Sequence, residues 1–303
     1  MKIPNSVLFG NGINRVGESP IVWTELLDSI KIPNLFDNGK LPNTFIYERA
    51  LLQKEPFQDL KELEKKVKND ISKLFDDKAI NDLYKKLFQL NISNYMTTNY
   101  DNIFLNTIIK NGKFTSYSSN KESAYSLRRK TLIYDNNENE RCKIWNIHGS
   151  INRPSTIMLG IDHYCKSVSK IYDYVNGKYE FNRINKTSHR KLTDKIMKND
   201  FDGYSWVELF FNSNIHIIGY SLDYSEIDVW WILNKRARLL RDYRYKKNLE
   251  NKVYFYDSCI TSEKEGLLKS LNVEVIKCKR EESNNGWMRY YDSVFENIHK
   301  INH

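Results

Sequence analysis

The sequence predicts an α/β fold, a doubly wound and largely parallel sheet of about six strands with helical insertions. Three observations carry this. Six short apolar runs are spaced along the chain, amphipathic helical patterns lie between most of them, and run after run ends in Gly, Ser, Thr, Asn or Asp. Near-continuous apolar strands belong to parallel sheets covered on both faces.

The predicted strands are Ser6–Phe9, Ile92–Thr97, Lys143–Ile147, Asn214–Ile218, Lys252–Tyr256 and Val273–Cys278. Ser19-Pro20 offers a cap and a first-turn proline to a helix burying Trp23, Leu26, Leu27 and Ile30. Phe57, Leu60, Leu63, Val67, Ile71 and Leu74 recur at helical steps, and Ile80, Leu83, Leu87 and Leu90 continue with a second helix. Asn111-Gly112 closes the helix after Asp101. Ser225 with Asp228 resembles a capping box ahead of Ile227, Trp230, Leu233, Ala237 and Leu240. Helices over about 43–90 read as an insertion, residues 113–141 as a polar excursion or mobile loop, and 161–204 as a second, small insertion. One core with helical additions is the expected architecture.

The 303 residues carry 47 Lys+Arg against 38 Asp+Glu, a net charge of +9, with 40% hydrophobic residues. That apolar share excludes global disorder. The basic excess is diffuse, and there is no P-loop, helix-turn-helix signature or metal–carboxylate cluster, so direct nucleic-acid binding is not expected. Anionic small molecules suit the charge equally well. No apolar run approaches the roughly 18 residues of a membrane helix, and the start MKIPNSVLFGNG lacks a secretory core, so a cytoplasmic location is expected. Cys142, Cys165, Cys259 and Cys278 form no CxxC pair, which excludes a zinc ribbon and leaves buried structural thiols as the reading.

The strand tips carry the candidate chemistry. They are Gly10-Asn11-Gly12, Thr97-Thr98-Asn99, His148-Gly149-Ser150, Gly219-Tyr220-Ser221 and Asp257-Ser258. In open parallel sheets ligands bind outside the carboxyl ends of the strands, so all five groups face one crevice if the topology holds. Each has a plainer reading. The glycine turn serves a tight turn or a phosphate, Asn99 serves as a helix cap or a ligand contact, and His148 is a structural or a catalytic histidine. Trp230-Trp231 reads as core and helix surface, and Trp287, Tyr290, Tyr291 and Phe295 as the docking face of the last helix. His216 lies within a buried strand, and His163 has no evident partner.

The segments VLFGNGIN, Gly17-x-x-Pro20-x-x-Trp23, MTTNYDNIF, NIHGSI and IIGYSLDYSEIDVWWIL, in that order, resemble the sirtuin-related SIR2-like superfamily. The resemblance covers roughly 5–27, 90–110, 143–165 and 205–280, and it implies a single Rossmann-like domain over 1–303 that takes NAD+ as substrate. It places Gly10 and Gly12 against the pyrophosphate, with Asn11 where a small Ala is usual and Asn14 where Ser is usual. Asn99 and Asp101 fall beside the nicotinamide ribose, Thr98 is among the cofactor-binding residues, and His148 matches the catalytic histidine. Gly219 and Ser221 match the phosphate and ribose contact, and Asp257, on a looser alignment, the residue near the adenosine ribose.

The departures choose among activities. Deacylases of the superfamily hold a four-cysteine zinc module between the histidine and the GxSL strand, an interval that here contains only Cys165. No metal is therefore expected. The NYD and HGSI forms resemble zinc-less bacterial NAD-consuming effectors of anti-phage defence, and the GNG start resembles AbiH-type abortive-infection proteins. The resemblance thus implies an NAD+ hydrolase, with Asn99 orienting water or ribose, His148 as base and Asp101 in support. Control by a partner protein, a nucleotide signal or homo-oligomeric assembly is expected. The rival readings are an NAD or ADP-ribose sensor without turnover, and a deacylase.

Overall fold

The computed structural model describes residues 3–16, 23–28, 41–53, 59–75, 78–110, 112–118, 124–179, 190–283 and 285–302. Eight strands build one sheet: β1 (Asn5–Phe9), β2 (Asn94–Thr97), β3 (Phe114–Ser118), β4 (Thr131–Asp135), β5 (Glu140–Asn146), β6 (Asn214–Ile218), β7 (Val253–Asp257) and β8 (Val273–Lys277). Their order is β3-β4-β5-β2-β1-β6-β7-β8. The six from β5 to β8 run parallel, and they are the six strands expected from the apolar runs. From β1 the chain winds outward through β2 to β5, then returns to the other side of β1 for β6, β7 and β8. The turning point of this dinucleotide-fold order lies at β1, which opens a crevice at its carboxyl end.

The helices are α1 (Trp23–Asp28), α2 (Asn43–Leu52), α3 (Leu60–Lys73), α4 (Asp82–Gln89), α5 (Ile103–Ile109), α6 (Ile161–Val175), α7 (Leu192–Lys198), α8 (Leu209–Asn212), α9 (Ile227–Arg241), α10 (Tyr243–Lys246), α11 (Ser262–Ser270) and α12 (Gly286–Asn302). Alternation along the strands divides the core into two layers. Val7, Phe9, Tyr95, Ile144, Tyr254 and Tyr256 pack with α4, α5 and α12, while Leu8, Met96, Trp145, Ile217 and Phe255 pack with α6 to α9 and α11. A third cluster joins α1, α2 and α3 through Leu27, Ile46, Tyr47, Val67 and Ile71. No helix among the described residues is long and apolar enough to cross a membrane.

Three segments differ from expectation. Within 113–141, the described strands β3 and β4 extend the sheet instead of leaving it. Although polar, Phe114–Ser118 and Thr131–Asp135 are rich in Thr, Tyr and Ile, and β4 pairs antiparallel with both neighbours, bringing Ile133 opposite Cys142 in the core. Within 161–204, α6 is a covering helix of the sheet, because tyrosines do the work of aliphatics: Tyr164 and Tyr174 are fully buried beside Ile171. Within 43–90, α2 and α3 form the outlying cluster, whereas α4 lies on the sheet through Leu83, Tyr84 and Leu87.

Helix ends shift locally. Asp59 caps α3 and Asn81 caps α4 through their side chains, leaving Leu60, Leu74 and Ile80 exposed. Cys142 and Cys278 are buried as expected, but Cys165 and Cys259 are exposed. Gly17, Ser19, Pro20, Ile30, Phe57 and Asn111 lie outside the described residues, as does the side chain of Trp23.

Candidate functional site

Register brings the strand tips level. Phe9 pairs with Thr97 on one side and Ile218 on the other, and Thr97 pairs with Asn146. The chain therefore leaves the sheet at one height in the Gly10, Thr98, Ile147 and Gly219 turns. A cavity of about 490 Å³ opens there, within the size range of small-molecule sites. Eight of the eleven residues that the resemblance assigns to the NAD+ site line it: Asn11, Gly12, Thr98, Asn99, Asp101, Gly219, Ser221 and Asp257. Gly10, Asn14 and His148 do not.

The two glycines of the first turn have a packing reason. A Cβ on Gly12 would lie 2.7 Å from the Gly219 carbonyl oxygen, and one on Gly10 would lie 2.8 Å from the same atom. Gly12 N–H donates to that carbonyl at 2.7 Å, and Gly10 N–H to Ile218 O at 3.1 Å, so both amides are spent on β6 and its turn. The turn leads into a short 3₁₀ segment, Asn14–Val16, from which Arg15 places a cation in the cavity lining. Asn14 is a buried strut. Its amide nitrogen donates to Asn11 Oδ1 at 2.7 Å and to Asp101 Oδ2 at 3.0 Å, tying the β1 turn to the β2 turn.

Asn99 is presented by the β2 turn, where its backbone N–H donates to Thr97 Oγ1 and its side-chain nitrogen to the buried Tyr84 hydroxyl at 3.2 Å. It does not cap α5: Asp101 Oδ1 accepts the Ile103 N–H at 2.9 Å instead. Burial pushes the Asp101 carboxyl up to about 6, against the Ile103 and Asn14 hydrogen bonds that favour its anion.

His148 is 1% exposed and stands behind the cavity wall. Its Nε2 lies 3.2 Å and 3.3 Å from the two oxygens of Asp228, which also accepts from Ser167 Oγ and from Val229 N–H. The ring meets Tyr164 edge to face at 5.2 Å. Burial opposes the imidazolium, but the Asp228 carboxylate, with Glu226 adding to it, holds the His148 pKa above its ordinary value. The expected capping box is therefore absent. Ser225 Oγ donates to Asp223 at 2.6 Å, and Asp228 is turned inward to the histidine.

Sequence reading missed several members of the site. Glu226 and Tyr100 line the cavity, and Tyr100 donates to the Met158 carbonyl. Trp287, Tyr290 and Tyr291, expected only to dock α12, wall the end beside Asp257. Asn43 and Phe75 reach in from the early helices. The one available signal was the acidic sequence Asp223, Glu226, Asp228 directly after the Gly219-x-Ser221 turn. His163, left without a partner by the sequence, does not line the cavity; its Nδ1 accepts the Leu159 and Gly160 N–H groups and its Nε2 lies against Glu64 and Lys68 of α3.

A family model described as a SIR2-like domain matches residues 93–276, well over half of the chain. The matched span holds Asn99, Asp101, His148, Gly219, Glu226, Asp228 and Asp257, and leaves the β1 turn and α12 outside. No curated protein matches the chain.

Proposed function

The chain belongs to the SIR2-like family, and on that premise we propose that it hydrolyses NAD+ to nicotinamide and ADP-ribose. The family match supports NAD-related activity, with NAD+ as the substrate such domains bind. The observation that favours this reading most is the cavity itself, which gathers Asn99, Asp101, the Gly12 and Gly219 turns and Asp257 at the turning point of the sheet.

In the proposed reaction the bond between ribose C1′ and the pyridinium nitrogen breaks, and its electron pair neutralises the departing nicotinamide. The ribosyl centre passes through an oxocarbenium-like state, and water adds its oxygen to C1′. No acid is needed on the leaving group, unlike glycosides whose oxygen must be protonated. Asn99 orients ribose or water from the β2 turn, and Asp101 supports it. His148 lies one layer behind the wall, so we assign it a positioning part. Locked by Asp228, it sets the charge of Glu226 in the cavity wall, and that carboxylate takes up the proton lost by water.

Product analysis after incubation with NAD+ tests this directly. Asn99→Ala and His148→Ala are expected to lower nicotinamide release roughly 100- to 10,000-fold. His148→Ala is further expected to shift the pH profile, which a merely structural histidine would not do. Folded variants with full turnover overturn the residue assignments. Wild-type protein that binds NAD+ but never releases nicotinamide makes the chain a sensor.

An unregulated NAD+ hydrolase would poison its own cell. We therefore extend the proposal to an NAD-depleting effector of anti-phage defence, held at low basal activity until a partner protein, a nucleotide signal or self-assembly releases it. Rapid NAD+ loss on modest expression of this chain alone contradicts that extension.

A further inference from the structure

The cavity lining carries charges of both signs. Arg15 acts on Tyr291 of α12, near the end walled by Trp287 and Asp257. Glu226 also lines the cavity while only 5% exposed. Its Oε2 accepts the Asp223 N–H at 3.2 Å, and its Oε1 accepts the Tyr164 hydroxyl at 3.4 Å. Tyr100, next in sequence to Asn99, feels its charge, as do Tyr164, Tyr220 and His148. A carboxylate fixed among tyrosines acts through little solvent, where an opposite charge is worth far more than in water.

We propose that Glu226 recognises the positive charge of an oxidised pyridinium nucleotide and carries that attraction through to the oxocarbenium-like ribosyl centre. Arg15, also in the lining, suits the pyrophosphate, so the cavity offers a charge for each charged part of the substrate. NADH keeps the pyrophosphate but has a neutral ring, and it lacks the leaving group. Selection against it costs no change of shape, only the loss of one charge beside Glu226. The inference rests on the NAD+ reading above, but it concerns recognition and is measurable without turnover.

The groups facing Glu226 set the pH at which it acts. They are Asp223 and Tyr220 on the β6 turn, Asp228 on its own helix, His148 after β5, Tyr164 on α6, Tyr100 after β2 and Lys264 on α11. Burial raises the Glu226 carboxyl, and the attraction of His148 pulls it back. Preference for the cation therefore fades on acidification at a pH above the ordinary carboxylate range.

The test is equilibrium binding of NAD+, NADH and ADP-ribose in an Asn99→Ala background that blocks turnover, with and without Glu226→Gln. NAD+ is expected to bind at least about 10-fold tighter than NADH, and Glu226→Gln to bring the ratio to about one. ADP-ribose, which has neither ring, should bind within about 3-fold in both, which shows that the variant is folded. Glu226→Gln in the otherwise unaltered chain is expected to lower kcat roughly 100-fold or more. An unchanged NAD+ to NADH ratio, or equal binding of the two without the substitution, overturns the inference. If the unaltered chain selects NAD+ through Glu226 but releases no nicotinamide, the hydrolase reading falls and the recognition role stands. If it releases nicotinamide and Glu226→Gln keeps the selectivity, the reverse holds.

Discussion

Two buried groups, His148 and Asp101, titrate above their ordinary values for different reasons, and each yields a prediction. His148 is stabilised as an imidazolium by Asp228 in a fully buried pair. Its folded pKa lies above the ordinary 6.5, so its contribution to stability is fully present below 6.5 and is lost as pH rises through the folded value. Asp228→Asn removes the first attraction and leaves burial, which acts the other way. The His148 pKa, followed by NMR of the imidazole, should fall, and stability at neutral pH should drop by about 3 kcal/mol. An unmoved titration would mean that the pair does not set the histidine's charge.

Asp101 has a linkage of the same sign, with burial rather than a charged partner as its cause. Burial raises its carboxyl from 3.8 to about 6, so the folded state holds the proton more tightly than the unfolded chain, and stability declines as pH rises through that window. Two pKa units correspond to about 3 kcal/mol, carried as a cost at neutral pH and above. Asp101→Asn should therefore gain about 1–2 kcal/mol at pH 8 and nothing at pH 4, while nicotinamide release falls. Denaturant titration at the two pH values reads the first and product analysis the second. Equal effects at both pH values would show that the charge carries no such cost.

At the scale of elements, the glycines of the first turn separate packing from ligand binding. Gly12 meets Gly219 backbone and the Tyr291 hydroxyl at distances no Cβ tolerates, and Gly219 itself has φ +55°. Gly266, inside α11, would meet nothing within 4 Å. Gly12→Ala should cost about 1–3 kcal/mol even without any ligand, while Gly266→Ala should gain about 0.5–1 kcal/mol. A neutral Gly12→Ala in the ligand-free protein would return that glycine to a purely ligand-facing role.

The same turns show what the sequence could and could not reveal. The parallel strands were legible because each is an unbroken apolar run, and the tips because Gly, Ser, Thr and Asn interrupt those runs at one edge. The β3–β4 hairpin was not, because pairing on both sides of β4 let polar residues hold strand geometry that no periodicity announced. Asn99 and Asp101 lie within a single turn and could be read together. The His148–Asp228 pair spans 80 residues, and Asp228 mimicked a helix cap until α9 was seen to turn it toward the histidine.

The cavity belongs to the whole molecule, since its lining includes Arg15 from the first turn, Asn43 from α2, the sheet tips, and Trp287 and Tyr290 from α12. Neither α2 nor α12 lies in the family-matched span, yet both close over its strand tips. A ligand seated there is held only when all of these segments are folded, so binding is linked to global unfolding rather than to one loop. ADP-ribose at 100 times its Kd should then add about 2.7 kcal/mol to the unfolding free energy, read as a dose-dependent rise in Tm. Amide exchange should slow in α2 and α12 together, although they stand 243 residues apart at their first residues, Asn43 and Gly286. With a net charge of +9 on the protein and two phosphates on the ligand, the affinity should weaken as ionic strength rises. Protection confined to one of the two helices, or a Tm that ignores the ligand, would mean that the cavity is not closed by the molecule as a unit.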